Sequence, residues 1–322
     1  MYLPVAWPLI GPWHKTAAVV FIVCPYLFLY LAAASDPGYV GADNVRDYMN
    51  LYPYDYTIFH PGQECRTCRI PKPARSKHCS LCGRCVARAD HHCIFINSCV
   101  GYRNHRWFIL LLLSTAMLIT YGTLLGLSLL SATVRARLPG WNPWPLPPPE
   151  LGWHRYVSLW AWALQRSTGM GAVTLLTLLL SPVIWAFFLY TVYMLHCGMT
   201  TNESLKWSEW RDEVRFGTAY RRSMSLSRVK DPRFEGPDSR WPVDTAQIIV
   251  TTATGMPPTN PNIPGHGPWG HLRVFANVDN LYDLGLWNNT LDVFLPNYRF
   301  RKGGLPENVG MARRRTVAWR PC

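Results

Sequence analysis

Long charge-free apolar blocks alternate along this chain with segments dense in lysine and arginine. Thr16–Ala34 runs for nineteen residues without a charged side chain, Trp107–Leu130 for twenty-four and Met170–Leu195 for twenty-six. At about 1.5 Å per helical residue, roughly 20 residues cross the ~30 Å hydrocarbon layer, so each block predicts a spanning helix. Pro25 and Pro182 fall inside two of them, where they kink a helix but are tolerated in lipid. The predicted organisation is α-helical and polytopic, with spans 16–34, 107–130 and 170–195. Between and around the spans lie an N-terminal segment 1–15, a long segment 35–106, a loop 131–169 and a C-terminal region 196–322.

Charge orients this scheme. The segment 35–106 carries ten Lys/Arg, the region 196–322 seventeen, the loop 131–169 four and the N-terminal segment one. The positive-inside bias places 35–106 and 196–322 in the cytosol and the other two on the lumenal side. The net charge of +13 also raises nucleic acid as a partner. With no recognisable groove-reading helix, and the charge spread over membrane-flanking segments, no nucleic-acid partner is expected. Residues 211–275 are basic, rich in Pro, Gly and Ser and without clear periodicity, and are expected to be poorly ordered.

Seven of the ten cysteines fall between Cys65 and Cys99, on the side assigned to the reducing cytosol, where dense Cys with His reads as metal binding or catalysis. Their spacing hides a repeat. Cys65, Cys68, His78 and Cys85 recur, displaced by fourteen residues, as Cys79, Cys82, His92 and Cys99. Each set is Cys₃His, a tetrahedral zinc shell, and the two interleave, so the segment is expected to fold as one metal-dependent unit with two structural zinc ions. A competing grouping takes Cys65, Cys68, Cys79 and Cys82 as one site and Cys85, His92, Cys93 and Cys99 as the other. It needs adjacent His92 and Cys93 to converge on one tetrahedron.

The repeat leaves His91 and Cys93 over. A cysteine outside a zinc shell and two residues from a free histidine is suited to covalent acyl chemistry, because the thiolate is the nucleophile and an ordinary thiol is only partly ionised at neutral pH. His91 is the candidate base, Cys93 the candidate nucleophile, and Asp90 the residue that orients the imidazole.

The segment CRTCRIPKPARSKHCSLCGRCVARADHHCIFINSCVG resembles the cysteine-rich domain of the DHHC palmitoyltransferases. Asp36-Pro37-Gly38 after the first span resembles that family's DPG motif, Thr200-Thr201-Asn202-Glu203 after the last its TTxE motif, and Asn280 to Asn289 its C-terminal Asn/Gly/aromatic motif. The resemblance implies protein S-acyl transfer from palmitoyl-CoA through an acyl-Cys93 thioester, and substrates that are membrane proteins with cysteines near the bilayer. It implies Lys72, Arg75 and Lys77 as candidate contacts for the CoA phosphates. An endoplasmic reticulum or Golgi membrane is implied, the endoplasmic reticulum favoured. Ile94-Phe95 stands where the family commonly has Pro-Trp, and Ser98 where Asn is common. The apolar residue after Cys93 resembles the fungal branch that acylates SNARE-like proteins. The family's usual four spans, both ends cytosolic, imply a chain incomplete at its front or a three-span form. A zinc-dependent interaction module without catalysis is the rival reading, and it is indifferent to Cys93.

Overall fold

A computed structural model of the chain describes residues 4, 6–144, 151–236, 239–275 and 278–300. It divides into two compact units, one of Met1–Leu31 with Trp107–Thr191, the other of Ala32–Arg106 with Val192–Cys322.

The first unit is helical. The predicted spans are helices α1 (Pro12–Ala34), α3 (His105–Arg137) and α5 (Thr168–His196), each long and apolar enough to cross a membrane. Only 6% of the most apolar window of α5 is buried, so its outer surface calls for a hydrocarbon solvent. Helices α3 and α5 approach closely: a Cβ on Gly126 would lie 2.1 Å from the Thr174 hydroxyl. Polar groups tie them together, Trp185 Nε1 donating to Thr120 Oγ1 at 2.8 Å and Thr120 meeting the Ser181 hydroxyl at 3.3 Å. Small residues at the crossing and hydrogen bonds across it hold spans where lipid supplies no hydrophobic contrast. The stretch 131–169, expected as a loop, is largely helical among its described residues. Helix α3 continues to Arg137, and α4 (Gly152–Arg166) buries Tyr156 and Ala163 against Leu130, Val134, Trp141 and Met170.

The second unit carries the cysteine-rich segment. After α1, Asp36 Oδ1 accepts from the backbone N–H groups of Gly38 and Tyr39 at 2.9 and 3.0 Å. Gly38 has φ +99°, a conformation that favours glycine, and it turns the chain into β1 (Tyr39–Val40). Short helix α2 (Val45–Met49) follows, then four strands: β2 (Lys77–Cys79), β3 (Arg84–Val86), β4 (His91–Cys93) and β5 (Ser98–Val100). β3 lies between β1 and β2 in one antiparallel sheet, and β4 pairs with β5 in another.

Beyond α5, helix α6 (Thr201–Phe216) opens with a capping box. Thr200 Oγ1 accepts from the Glu203 backbone, and the Glu203 carboxylate accepts from the Thr200 backbone. Contrary to expectation, the stretch 211–275 is structured over its described residues. Strands β6 (Ala219–Ser223), β7 (Gln247–Thr251) and β8 (His266–His271) form a sheet in the order β7-β6-β8. It buries Ala219, Ile249 and Leu272 against Val214 of α6, and Ile248 against the main core. Each strand is five or six residues long and its buried positions do not alternate, Ile248 and Ile249 meeting different clusters, so no period-2 pattern marks the sheet in sequence. Helix α7 (Leu286–Phe294) closes the described chain.

The main core is unusually aromatic, built from Tyr52, Tyr54, Tyr56, Phe59, Trp207, Trp241 and Tyr282. Asp55 is buried within it. Its Oδ1 accepts backbone N–H groups of Thr57, Ile58 and Phe59 at 3.1, 3.1 and 2.8 Å, while Oδ2 has no partner among the described residues. Burial pushes its pKa up to about 7, against the opposing pull of the backbone bonds. The folded protein therefore holds this proton over a range in which the unfolded chain has lost it, and Asp55 costs stability as pH rises from about 4 through 7. The expected result is that Asp55→Asn raises the melting temperature more at pH 8 than at pH 5. Parallel pH profiles for the variant and the parent would refute this account.

Candidate active site and metal clusters

The fourteen-residue repeat has a three-dimensional counterpart in three successive hairpins. Their central pairs are Glu64 opposite Pro71, His78 opposite Cys85, and His92 opposite Cys99. Each hairpin ends in the same turn. Arg69, Gly83 and Asn97, fourteen residues apart, are all left-handed, at φ 52°, 64° and 47°. The two residues at each tip, 66–67, 80–81 and 94–95, are exposed.

This geometry assembles the clusters. The first turn carries Cys65 and Cys68, and the strands of the second hairpin bring His78 and Cys85 to them. The second turn carries Cys79 and Cys82, and the third hairpin brings His92 and Cys99. In each set all four ligand atoms lie within 4.8 Å of one another. His78 Nδ1 is 3.5, 3.3 and 3.8 Å from the sulfurs of Cys65, Cys68 and Cys85. His92 Nδ1 is 3.6, 3.3 and 3.7 Å from those of Cys79, Cys82 and Cys99. A tetrahedral zinc with bonds of about 2.3 Å to sulfur and 2.0–2.1 Å to nitrogen gives an S···N edge of roughly 3.6 Å, so both sets fit that ion. The alternative grouping, with His92 and Cys93 as joint ligands, is not the one the strands build, because neighbours on a strand point to opposite faces.

That same alternation isolates the reactive pair. On β4, His92 faces its cluster, while His91 and Cys93, two residues apart, share the other face. Cys93 occupies the position in the third turn that Cys65 and Cys79 occupy in the first two, and Ile96 stands where those turns have their second cysteine. His91 Nδ1 lies 2.6 Å from Asp90 Oδ2. A carboxylate only accepts, so Nδ1 carries the hydrogen and Nε2 is left as the base. Asp90 is itself held, by the backbone N–H of Thr201 to Oδ1 at 2.8 Å and the Thr201 hydroxyl to Oδ2 at 2.9 Å. Burial pushes the Asp90 carboxyl up, but the His91 hydrogen bond, nearby imidazoles and the Thr201 backbone bond outweigh it and leave its pKa well below the usual carboxylate range.

Arg75 stands elsewhere than expected. It is not available to an external phosphate: it is 1% exposed and forks onto Glu203, Nε to Oε1 at 2.7 Å and Nη2 to Oε2 at 2.6 Å. Its Nη2 also donates to the Gly198 carbonyl at 2.9 Å, and its guanidinium lies 4.9 and 4.4 Å from the ring centres of Tyr52 and Tyr282. Lys77 is exposed and Lys72 half-buried. Arg75 thus braces the capping turn that presents Thr201 to Asp90.

Sequence reasoning missed the acid at the centre of this network, Asp292 on α7. It pairs with Arg240, lies 3.3 Å from Arg88 Nε and accepts from the Tyr52 hydroxyl at 2.8 Å. A carboxylate in the otherwise uncharged helix LWNNTLDVF was the available signal. Asn280 Nδ2 donates to the Cys197 carbonyl at 2.9 Å, anchoring the C-terminal motif to the chain just past α5.

A half-exposed histidine backed by a buried carboxylate, a cysteine on the same strand face and two flanking Cys₃His clusters, in a chain with apolar helices long enough to span a membrane, fit a membrane-bound thiol acyltransferase. Residues 58–208 match the family described as DHHC palmitoyltransferase. The chain is 49% identical over 312 residues to palmitoyltransferase SWF1 of Neurospora crassa, covering 94% of this chain and 73% of that protein. Over 311 residues it is 40% identical to palmitoyltransferase swf1 of Emericella nidulans, covering 91% and 75%. Over 313 residues it is 38% identical to the protein of that name in Aspergillus fumigatus, covering 91% and 82%. The chain belongs to the DHHC palmitoyltransferase family, in its fungal SWF1 branch.

Proposed function

We propose that this protein S-palmitoyltransferase carries the acyl group on Cys93, taking it from palmitoyl-CoA and passing it to cysteines of membrane proteins. The observation that carries the reading is the face-sharing of His91 and Cys93 on β4, with Asp90 fixed behind His91. His91 Nε2 takes the thiol proton as the Cys93 sulfur attacks the thioester carbonyl. The C–S bond to CoA breaks, and the CoA thiolate leaves with the proton from His91. A substrate thiol, deprotonated by the same imidazole, then attacks acyl-Cys93 and restores the free thiol. A thioester is broken and made in both steps, so little driving force is needed and the work lies in positioning and in generating the thiolate. Cys65, Cys68, His78 and Cys85, and Cys79, Cys82, His92 and Cys99, would each hold a zinc ion, which would supply rigidity to the hairpins. Exposed Lys77 and half-buried Lys72 are the remaining candidates for the CoA phosphates.

The exposed Ile94 and Phe95 beside Cys93 support acceptors whose cysteines lie close to the bilayer, SNARE-like proteins among them; the endoplasmic reticulum is the membrane we propose. The charge asymmetry supports a cytosolic placement of 35–106 and 196–322.

Incubation with a labelled palmitoyl-CoA analogue tests the proposal. Label released by hydroxylamine is expected on the parent protein and absent from Cys93→Ala, a loss of all transfer. Label persisting on that variant overturns it and leaves the non-catalytic zinc module as the better account.

A further inference from the structure

The two Cys₃His clusters repeat in spacing but not in surroundings. Both turns give their first sulfur the same backbone support, the Cys68 N–H donating to Cys65 at 3.4 Å and the Cys82 N–H to Cys79 at 3.5 Å. The first turn also leans on the main core, in which Cys65 is buried and against which Cys68 packs. The second turn packs elsewhere. Cys79 and Cys82 lie against a small cluster of Val86, Ala89 and Cys99. Leu81 at its tip is 72% exposed, Gly83 and Arg84 are exposed, and Cys82 is half-buried. Among the described residues, the one aromatic side chain packed on this cluster is Tyr39.

Restraints from several directions fix Tyr39 in place. Asp36 Oδ1 accepts its backbone N–H, as it does that of Gly38. On β1 it stands opposite Val86, and the Gly38 carbonyl accepts from the Ala87 N–H at 2.9 Å. A Cβ on Gly101 would lie 2.5 Å from the Pro37 carbonyl oxygen, so the turn that delivers β1 has no room to slide. The Arg84 guanidinium lies 5.2 Å from the centre of the Tyr39 ring. At the far end of the ring, the hydroxyl donates to the Cys82 sulfur and accepts from the Ser98 hydroxyl. Arg84 and Ser98 are fourteen residues apart, each just before the closing cysteine of its cluster. Tyr39 is thus gripped from the same position of two successive hairpins.

We propose that Tyr39 is a positioning residue for the second metal cluster, acting on its ion through Cys82. A hydrogen bond to a metal-bound thiolate spreads the sulfur's negative charge, which slows its protonation and its exchange for a competing ligand. The ring packs on the turn at its half-exposed edge, where the first cluster has the main core instead. The Asp36-Pro37-Gly38 turn then has a defined task, to carry Tyr39 onto that sulfur. The proposal rests on both clusters holding zinc and is independent of the route of acyl transfer.

Tyr39→Phe tests it by removing the hydroxyl and keeping the ring. The full chain in detergent, loaded with zinc, is challenged with the chelator 4-(2-pyridylazo)resorcinol, and release is followed by absorbance. One of the two equivalents is expected to leave faster by about 10–100-fold, the range over which such partners change metal affinity, and the other at the parent's rate. Iodoacetamide footprinting of the same preparations is expected to find Cys82 alkylated first in the variant, with Cys65 and Cys68 as protected as in the parent. Release at the parent's rates overturns the proposal. So do two equivalents speeded alike, which mark a loosening of the whole segment, and one equivalent speeded with Cys68 alkylated first. Fewer than two equivalents on the parent chain overturn the zinc reading itself, and the proposal with it.

Discussion

Cys85→Ser is expected to release both metal ions, whereas Cys99→Ser is expected to release one. The asymmetry follows from how the hairpins interlock. Cys85 and His78 face each other across the second hairpin and close the first cluster. The turn of that same hairpin carries Cys79 and Cys82, two ligands of the second cluster. Opening the first shell therefore unhooks the strands that present half of the second. Cys99 sits on the third hairpin, which contributes nothing to the first cluster, so the loss there stops at one site. Structural zinc in small Cys/His domains contributes about 10–16 kcal/mol of apparent binding energy that is also folding energy, so neither loss should be mild. Native mass spectrometry of the detergent-solubilised chain reads the stoichiometry. One ion retained by Cys85→Ser would show that the shells fold independently.

The second large effect is expected at Arg75. Glu203→Ala should lower stability by about 3–5 kcal/mol, because it removes the bidentate partner of a guanidinium that is 1% exposed and leaves it only the more distant Asp292 carboxylate, 3.9 Å from Nη1. Arg75→Met together with Glu203→Met should recover much of that loss, since a buried pair replaced by apolar groups of similar volume is often neutral. Transfer activity should recover less than stability does. The Thr200–Glu203 capping box loses its carboxylate in both variants, and with it the geometry that hands Thr201 to Asp90. Thermal unfolding and acyl transfer measured on the same preparations separate the two. Equal recovery of both would mean that the pair serves stability alone.

Much of this architecture was legible in sequence because its causes are local. Charge-free length betrayed α1, α3 and α5, and a fixed spacing betrayed the residues that gather into the two Cys₃His clusters. What stayed hidden depends on partners far along the chain. Arg75 reads as one more basic residue in KPARSKHC, and nothing nearby announces that its acid lies 128 positions later. The sheet of β6, β7 and β8 is hidden for a related reason: its strands are short and separated by long connections, so no periodic run reveals them. α4 was masked by the Pro/Trp-rich surroundings that made 131–169 read as a loop. In α7 the ordinary rule of polar outside and apolar inside is inverted, Asn289 and Asp292 being buried and Leu286 and Trp287 exposed, so its sequence pattern misleads about which face packs.

The three left-handed turns at Arg69, Gly83 and Asn97 carry one more implication. In the first two, a downstream hairpin arrives to complete a shell. Fourteen residues beyond His92 and Cys99 stand Arg106 and Leu113, both in α3, and neither side chain can ligate a metal here. The third loop therefore has no later pair of ligand residues, and Ile96 stands where the other two turns have their second cysteine. Cys93 stands outside both Cys₃His clusters because the tandem of loops ends one copy before a further pair of ligand residues.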